Sequence, residues 1–277
     1  MNCLPNKNLS CSFANTVAPV KFVGGAGHIG LRRKKNEDVF GLCVNSNWVL
    51  GFVADGVGGS SYGDVASQLI FETINKHLKS ESFCKNTKEP STWRHMLKLL
   101  MHHCKTALLN AADVEPTLVN MASTLTVLIT NGRQFEFAHI GDSRLYLLTN
   151  QQLVQRSNDH TLAALLEKTG QLSVEQILTH PSRHVLVQSL NAKEKSVIEG
   201  VQVGGGVLGP GDKLLLCTDG LSNMVDDDDI TRLLLNTSGD SLLNKLIASA
   251  LEAGGKDNIA VVCIEVAVSE PIQQIDI

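Results

Sequence analysis

Asn36-Glu37-Asp38-Val39-Phe40-Gly41-Leu42-Cys43-Val44-Asn45-Ser46-Asn47-Trp48-Val49-Leu50-Gly51-Phe52-Val53-Ala54-Asp55-Gly56 is the stretch from which the rest of the chain can be read. Two apolar runs of strand length, Phe40–Val44 and Trp48–Val53, flank Asn45-Ser46-Asn47, a good hairpin loop. Strands joined by so short a turn must be antiparallel. Acidic residues abut the runs: Glu37 and Asp38 precede the first, and Asp55 with Gly56 follows the second.

The same kind of run recurs along the chain. Val39–Val44 and Trp48–Ala54 are followed by Thr124–Thr130, Phe135–Ile140, Leu145–Leu148, Val197–Val203, Lys213–Cys217 and Ile259–Val266, most of them bounded by Gly, Asn or Asp. Asn131-Gly132 between two of them is a stronger turn signal still. Helical spacing marks other segments. Asp64–Leu78 sets Val65, Leu69, Ile70, Ile74 and Leu78 on one face, and Thr92–Ala112 carries a stripe of Met96, Leu97, Leu100, Met101, Cys104 and Leu108. His95, His102 and His103 lie on the second helix without a carboxylate companion, so they read as solvated or packing residues. Asp226–Asp229 opens a further helix, its acids favoured by the positive end of the dipole. A last helix spans about Ser241–Ala253 and ends at Gly254-Gly255. Antiparallel strands with paired helices predict an α+β fold in which helices cover the sheet faces.

Hydrophobic residues make up 43% of the 277, enough for a sizeable core, and a formal charge of −4 gives no reason to expect nucleic acid or a membrane surface as partner. No stretch approaches the ~18 apolar residues of a membrane span. The seven cysteines form no C-x-x-C pair, which argues against a zinc knuckle or a disulfide framework. Cys43, Cys217 and Cys263 sit in apolar runs as small hydrophobes, pointing to a reducing compartment. No repeat or linker divides the chain, so one domain is expected, preceded by a flexible extension over residues 1–20.

Five acidic sites abut strand ends: Glu37-Asp38, Asp55-Gly56, Asp142 in Gly141-Asp142-Ser143-Arg144, Asp219 in Thr218-Asp219-Gly220, and Asp257 in Lys256-Asp257-Asn258. Any one alone reads as a turn element. Five converging carboxylates would repel one another unless cations stood between them. An all-oxygen set without His or Cys suits Mg2+ or Mn2+ and disfavours zinc.

Taken in order, Gly30-x-x-Arg33-x-x-Asn36-Glu37-Asp38, Asp55-Gly56-x-Gly58-Gly59, Gly141-Asp142-Ser143-Arg144, Asp219-Gly220-Leu221 and Asp257-Asn258 resemble the protein phosphatase 2C family, in its compact bacterial form. The resemblance runs from about residue 23 to residue 266. Ala122-Ser123-Thr124-Leu125-Thr126 is similar to the family's small-residue–Thr–Thr strand entry, with Ala and Ser for the more usual Gly and Thr. Asn158-Asp159-His160-Thr161 is similar to its Asp-His-Ser/Thr segment, and the chain from there through His180-Pro181-Ser182-Arg183 to Leu190 is similar to its flap beside the active site. The resemblance implies a four-layer α-β-β-α sandwich of two mostly antiparallel sheets flanked by helix pairs, a catalytic domain over 21–268 and a C-terminal tail over 269–277.

It further implies a phosphoserine/phosphothreonine protein phosphatase. Asp55 bridges two Mn2+ or Mg2+ ions, with Glu37 and the Gly56 carbonyl completing one site and Asp219 and Asp257 the other. Asp142 with Asp219 is the place for a third, weaker ion. Asp38 hydrogen-bonds metal-bound water, and a water between the ions attacks phosphorus in line without a covalent intermediate. Arg33 is the phosphate-binding residue, since a guanidinium pairs with two phosphate oxygens. Asp55, Asp38 and Arg33 are thus the catalytic set. Where many eukaryotic members carry a His, this chain has Val57, so metal-bound water or another donor is expected to protonate the leaving group. His160 reads as a structural or flap-positioning residue rather than the acid. The implied partners are phosphorylated proteins and a cognate serine/threonine kinase, for a cytoplasmic monomer. The rival readings are a catalytically weak phosphoprotein-binding regulator of the same fold, a hydrolase of small phosphate esters or nucleotides, and a regulator with one dedicated protein substrate. Gly24-Gly25-Ala26-Gly27 lacks the Lys-Ser/Thr of a nucleotide loop.

Overall fold

The computed structural model describes residues 10–17, 19–57, 62–80, 83, 87, 89–173, 176, 180–193 and 200–268. Gly58 and Gly59, expected in the glycine-rich turn, lie outside the described residues, as do 197–199 of the expected strand Val197–Val203, residues 1–9 and the tail from 269 onward; of that expected strand only Gln202 and Val203 are found in one, which runs on to Val207.

The hairpin of the opening stretch is β3 (Asp38–Val44) and β4 (Val49–Asp55), closed by Asn45, whose Oδ1 accepts from Asn47 N at 2.8 Å and Trp48 N at 2.9 Å. Its sheet continues through β6 (Leu125–Thr130), β7 (Gln134–Ile140) and β11 (Gln202–Val207), in the order β11-β7-β6-β4-β3. The second sheet joins β1 (Ser10–Val17), β2 (Val20–His28), β8 (Arg144–Thr149), β9 (Gln152–Gln155), β12 (Lys213–Cys217) and β13 (Ile259–Val266), in the order β1-β2-β13-β12-β8-β9. A short pair, β5 (Ala122–Ser123) with β10 (Leu190–Asn191), stands beside the first sheet. Every paired strand is antiparallel to its neighbour.

Period-two alternation sorts each strand's side chains between layers. Val49 and Val53 of β4 point between the sheets, where they meet Leu214 and Leu216 of β12 and Val262 and Ile264 of β13. Leu50, Phe52 and Ala54 point the other way, onto α1 (Gly63–Leu78) and α2 (Trp93–Val114) through Ile70, Ile74, Leu97 and Met101. On the far side Leu215, Val261 and Cys263 pack against α5 (Asp227–Asn236) and α6 (Gly239–Glu252) through Ile230, Leu234, Leu242 and Leu246. The short helices α3 (Leu162–Lys168) and α4 (Asp219–Ser222) lie between these blocks in the chain. The result is the expected four-layer α-β-β-α sandwich. Among the described residues no helix is long and apolar enough to cross a membrane.

One expectation needs correction, and one strand carried no expectation. The flexible extension expected over 1–20 contains β1, paired to β2 from Ser10↔Ala26 to Val17↔Val20. The polar composition of this segment suits a sheet edge, where only one side of the strand needs a partner. The glycine run near residue 25 is the interior of β2, a strand paired on both sides. A Cβ on Gly24 would stand 2.4 Å from the ring of Phe22, and one on Gly25 2.5 Å from that of Phe40, so aromatic rings fill the space that side chains would take. Of the histidines of α2, His95 and His102 are exposed and His103 stacks on His77 of α1 with ring centroids 3.9 Å apart, the solvated and packing roles expected.

Candidate metal centre

Register alone brings two of the acids together. Asp38, first residue of β3, is paired with Asp55, last of β4, and Gly56 N donates to the Glu37 carbonyl at 3.1 Å. Asp219 opens α4 directly after β12, Asp257 precedes β13, and Asp142 sits in the β7–β8 turn. Because β12 lies between β13 and β8, these three come to the same end of the second sheet. Asp55 is within hydrogen-bonding reach of both Asp38 and Asp219. All the expected carboxylates therefore meet at one end of the sandwich.

Polar groups aim them. Asp38 is buried, and its Oδ2 accepts from Thr218 Oγ1 at 2.7 Å, while that hydroxyl accepts from Ala260 N at 2.8 Å. Asp55 N donates to Thr124 Oγ1 at 3.0 Å, and Thr124 Oγ1 is 2.7 Å from Ser143 Oγ, beside Asp142. Asn258 clamps the segment before β3: its Oδ1 accepts from Glu37 N at 2.8 Å, and its Nδ2 donates to the carbonyls of Ile29 at 2.8 Å and Lys35 at 3.0 Å. Asn223 Nδ2 donates to Asp219 Oδ2 at 3.0 Å. Of these, Asn258 and Thr124 lay within the quoted motifs, but their supporting roles did not. Thr218 too was quoted beside Asp219 without a role, and Asn223 carried no signal beyond standing four after it.

Burial and mutual repulsion push the acids up. Asp38 reaches about 8, through burial first and then Asp219 and Asp257, although the Thr218 hydroxyl opposes the shift. Asp219 reaches about 6 for the same two reasons, with Asp257 the leading charge. Asp55 and Asp142 are driven well above the usual carboxylate range by burial and the neighbouring carboxylates. Glu37 is raised by burial and then by Asp64. Buried like charges of this kind demand protons or cations. Asp219 Oδ1 is buried with no partner among the described residues, the mark of a ligand group awaiting its ion. The donor set fits hard divalent cations. Among the described residues no three His, Cys, Asp or Glu side chains converge closely enough to enclose an ion by themselves.

Arg33 Nη2 donates to Asp257 Oδ2 at 2.6 Å, with Asp55 and Glu37 also within its field. His160 is tied to the Asp142 turn twice: its N donates to the Gly141 carbonyl at 2.8 Å, and its Nδ1 accepts from Gly141 N at 3.1 Å. A groove of about 1440 Å3 takes in Asp142 and Asp219 and is lined by His160, Lys168, Arg183 and His184, with Asn223 Nδ2 3.3 Å from His184 Nδ1.

Comparison with known proteins agrees with this geometry. Residues 25–252 match the family model described as protein phosphatase 2C. A serine/threonine phosphatase stp of Listeria monocytogenes is 33% identical over 242 residues, covering 85% of this chain and 92% of its own. Among solved structures, the serine/threonine phosphatase Stp1 of Staphylococcus aureus superposes with a TM-score of 0.80 at 27% identity, over 91% of this chain and 96% of that one. The catalytic domain of the serine/threonine protein phosphatase PstP in complex with two manganese ions superposes with a TM-score of 0.73 at 28% identity, over 88% and 97%. The chain belongs to the protein phosphatase 2C family, in its bacterial form.

Proposed function

We propose that this protein removes phosphate from phosphoserine and phosphothreonine in proteins, reversing a serine/threonine kinase, with two Mn2+ or Mg2+ ions at the carboxylate centre. The observation that carries this reading is the gathering of Glu37, Asp38, Asp55, Asp142, Asp219 and Asp257 from distant strand ends into one group, buried at Asp38 and Asp142 and half-buried elsewhere, with an unpartnered oxygen on Asp219. Glu37, Asp55 and the Gly56 carbonyl would hold one ion, and Asp55, Asp219 and Asp257 the other; Asp142 with Asp219 would be the place for a third. Bound there, such ions would lower the pKa of a coordinated water towards neutrality and offset the charge of a phosphate ester.

The chain's own residues supply the rest. Thr218 fixes Asp38 as an acceptor facing the centre, so that it takes a hydrogen bond without moving. Arg33, one N–H of which rests on Asp257, has further donors for two phosphate oxygens. Val57 brings no proton to the leaving group, and His160 Nδ1 faces Gly141 N as an acceptor, which leaves that nitrogen without a proton to give. The buried Cys43, Cys217 and Cys263 fit a reducing compartment, and we place the enzyme in the cytoplasm. With the acidic set complete, nothing in the site favours a binding-only regulator.

The test is phosphate release from phosphothreonine peptides, p-nitrophenyl phosphate and nucleotides with and without Mn2+. Metal-dependent release from the peptides, lost in Asp55→Asn, is expected. Preference for nucleotides, or activity that survives that substitution, refutes the reading.

A further inference from the structure

The first turn of α1 meets the centre at the closest approach two backbones allow. A Cβ on Gly56 would stand 2.1 Å from the Gly63 carbonyl oxygen, and one on Gly63 2.8 Å from the Gly56 carbonyl carbon. Glycine at both positions is what lets the helix begin there. Asp64 comes next. Its Oδ2 receives Lys35 Nζ at 2.5 Å, whereas its Oδ1 is buried and has no hydrogen-bond partner among the described residues. After burial itself, Asp64 is the largest influence opposing ionisation of Glu37.

An acid in a first helical turn is ordinarily explained by the helix dipole. That explanation covers the charge of Asp64 and leaves out the buried oxygen, because an acid serving the dipole alone is free to keep both oxygens in water. A buried carboxylate oxygen without a donor, beside a second carboxylate, costs free energy unless something arrives to satisfy it.

We propose that Asp64 is a positioning residue for the cation held by Glu37 and Gly56: its Oδ1 accepts a hydrogen bond from a water of that ion's hydration shell, while Lys35 holds Oδ2 and balances the added charge. The inference rests on the two-cation reading above. A small hard cation dehydrates reluctantly and keeps several waters, so acceptors one layer out orient the ion and set its affinity. The basic run Arg32-Arg33-Lys34-Lys35 then divides its labour: Arg33 serves Asp257, and Lys35 serves Asp64.

The experiment is calorimetric Mn2+ titration of the full chain as wild type, Asp64→Asn and Asp64→Ala, with thermal melts in chelator alongside. In Asp64→Ala one Mn2+ is expected to bind about tenfold to a hundredfold more weakly while the other stays within about threefold, with Asp64→Asn intermediate. The melting temperature in chelator should hold or rise, since repulsion on Glu37 is relieved. Equal affinities in wild type and a folded Asp64→Ala overturn the proposal. So does a uniform loss of both sites together with a lower melting temperature in chelator, which marks a structural role. A wild type that binds no Mn2+ overturns the two-cation reading itself, and this inference with it.

Discussion

Stripped of cations, the protein should grow less stable as pH rises from about 4 to about 8. Asp38 moves from 3.8 to about 8 on folding, and at about 1.4 kcal/mol per unit its ionisation in the folded chain costs on the order of 5 kcal/mol. Asp219, moving from 3.8 to about 6, adds about 3 kcal/mol when taken alone. The two acids raise each other, so the joint effect is nearer about 5 kcal/mol than the total. The sign follows from proton counting. Between the unfolded and folded pKa values the folded chain holds protons that the unfolded chain has released, so stability is full below about pH 4 and is lost as pH climbs through the folded values. At about 2–4 °C per kcal/mol for a domain of this size, the melting temperature in chelator should fall by about 10–20 °C between pH 4 and 8.5. Mn2+ should largely abolish the slope, and Asp38→Asn should flatten the chelator curve. A melting temperature that stays level or rises with pH in chelator refutes this account of the buried acids.

Three further outcomes are expected. Thr218→Val removes the O–H that Thr218 donates to Asp38 and the acceptor of Ala260 N; half-saturation for Mn2+ should rise about tenfold or more in an activity titration. Arg33→Ala should lower kcat/KM for phosphopeptides by about a hundredfold, with Arg33→Lys recovering only part, since an ammonium lacks the two-pronged geometry. Gly56→Ala should destabilise the protein by about 2 kcal/mol or more in denaturant unfolding, because its methyl group meets the Gly63 backbone at 2.1 Å.

Most of the sandwich was legible because each inner strand is a short apolar run bounded by polar or turn residues and each outer helix carries one apolar stripe. β3, β4, β12 and β13 stand within a residue or two of the runs that announced them. β2 escaped because its pattern is completed by the rings of Phe22 and Phe40 lying over Gly24 and Gly25, a relation between residues that periodicity does not register. β1 escaped because an edge strand of polar residues reads like a loose terminus. The acids were legible because a carboxylate at the end of an apolar strand stands out. Their supports were not: Thr218 and Asn223 look like ordinary residues of a loop and a short helix until the fold sets them against Asp38 and Asp219. Asp64 was hidden in another way, since an acid at a helix start has an ordinary explanation and only the contact of Gly56 with Gly63 shows what it faces.

The most direct measurement is phosphate release from a phosphothreonine peptide by wild type and Asp219→Asn, each in Mn2+ and in chelator. Release by the wild type in Mn2+ alone, with Asp219→Asn silent under both conditions, is the predicted result. Hydrolysis that persists in chelator, or in the variant, would contradict the claim that carboxylates gathered from distant strand ends work by holding a pair of cations.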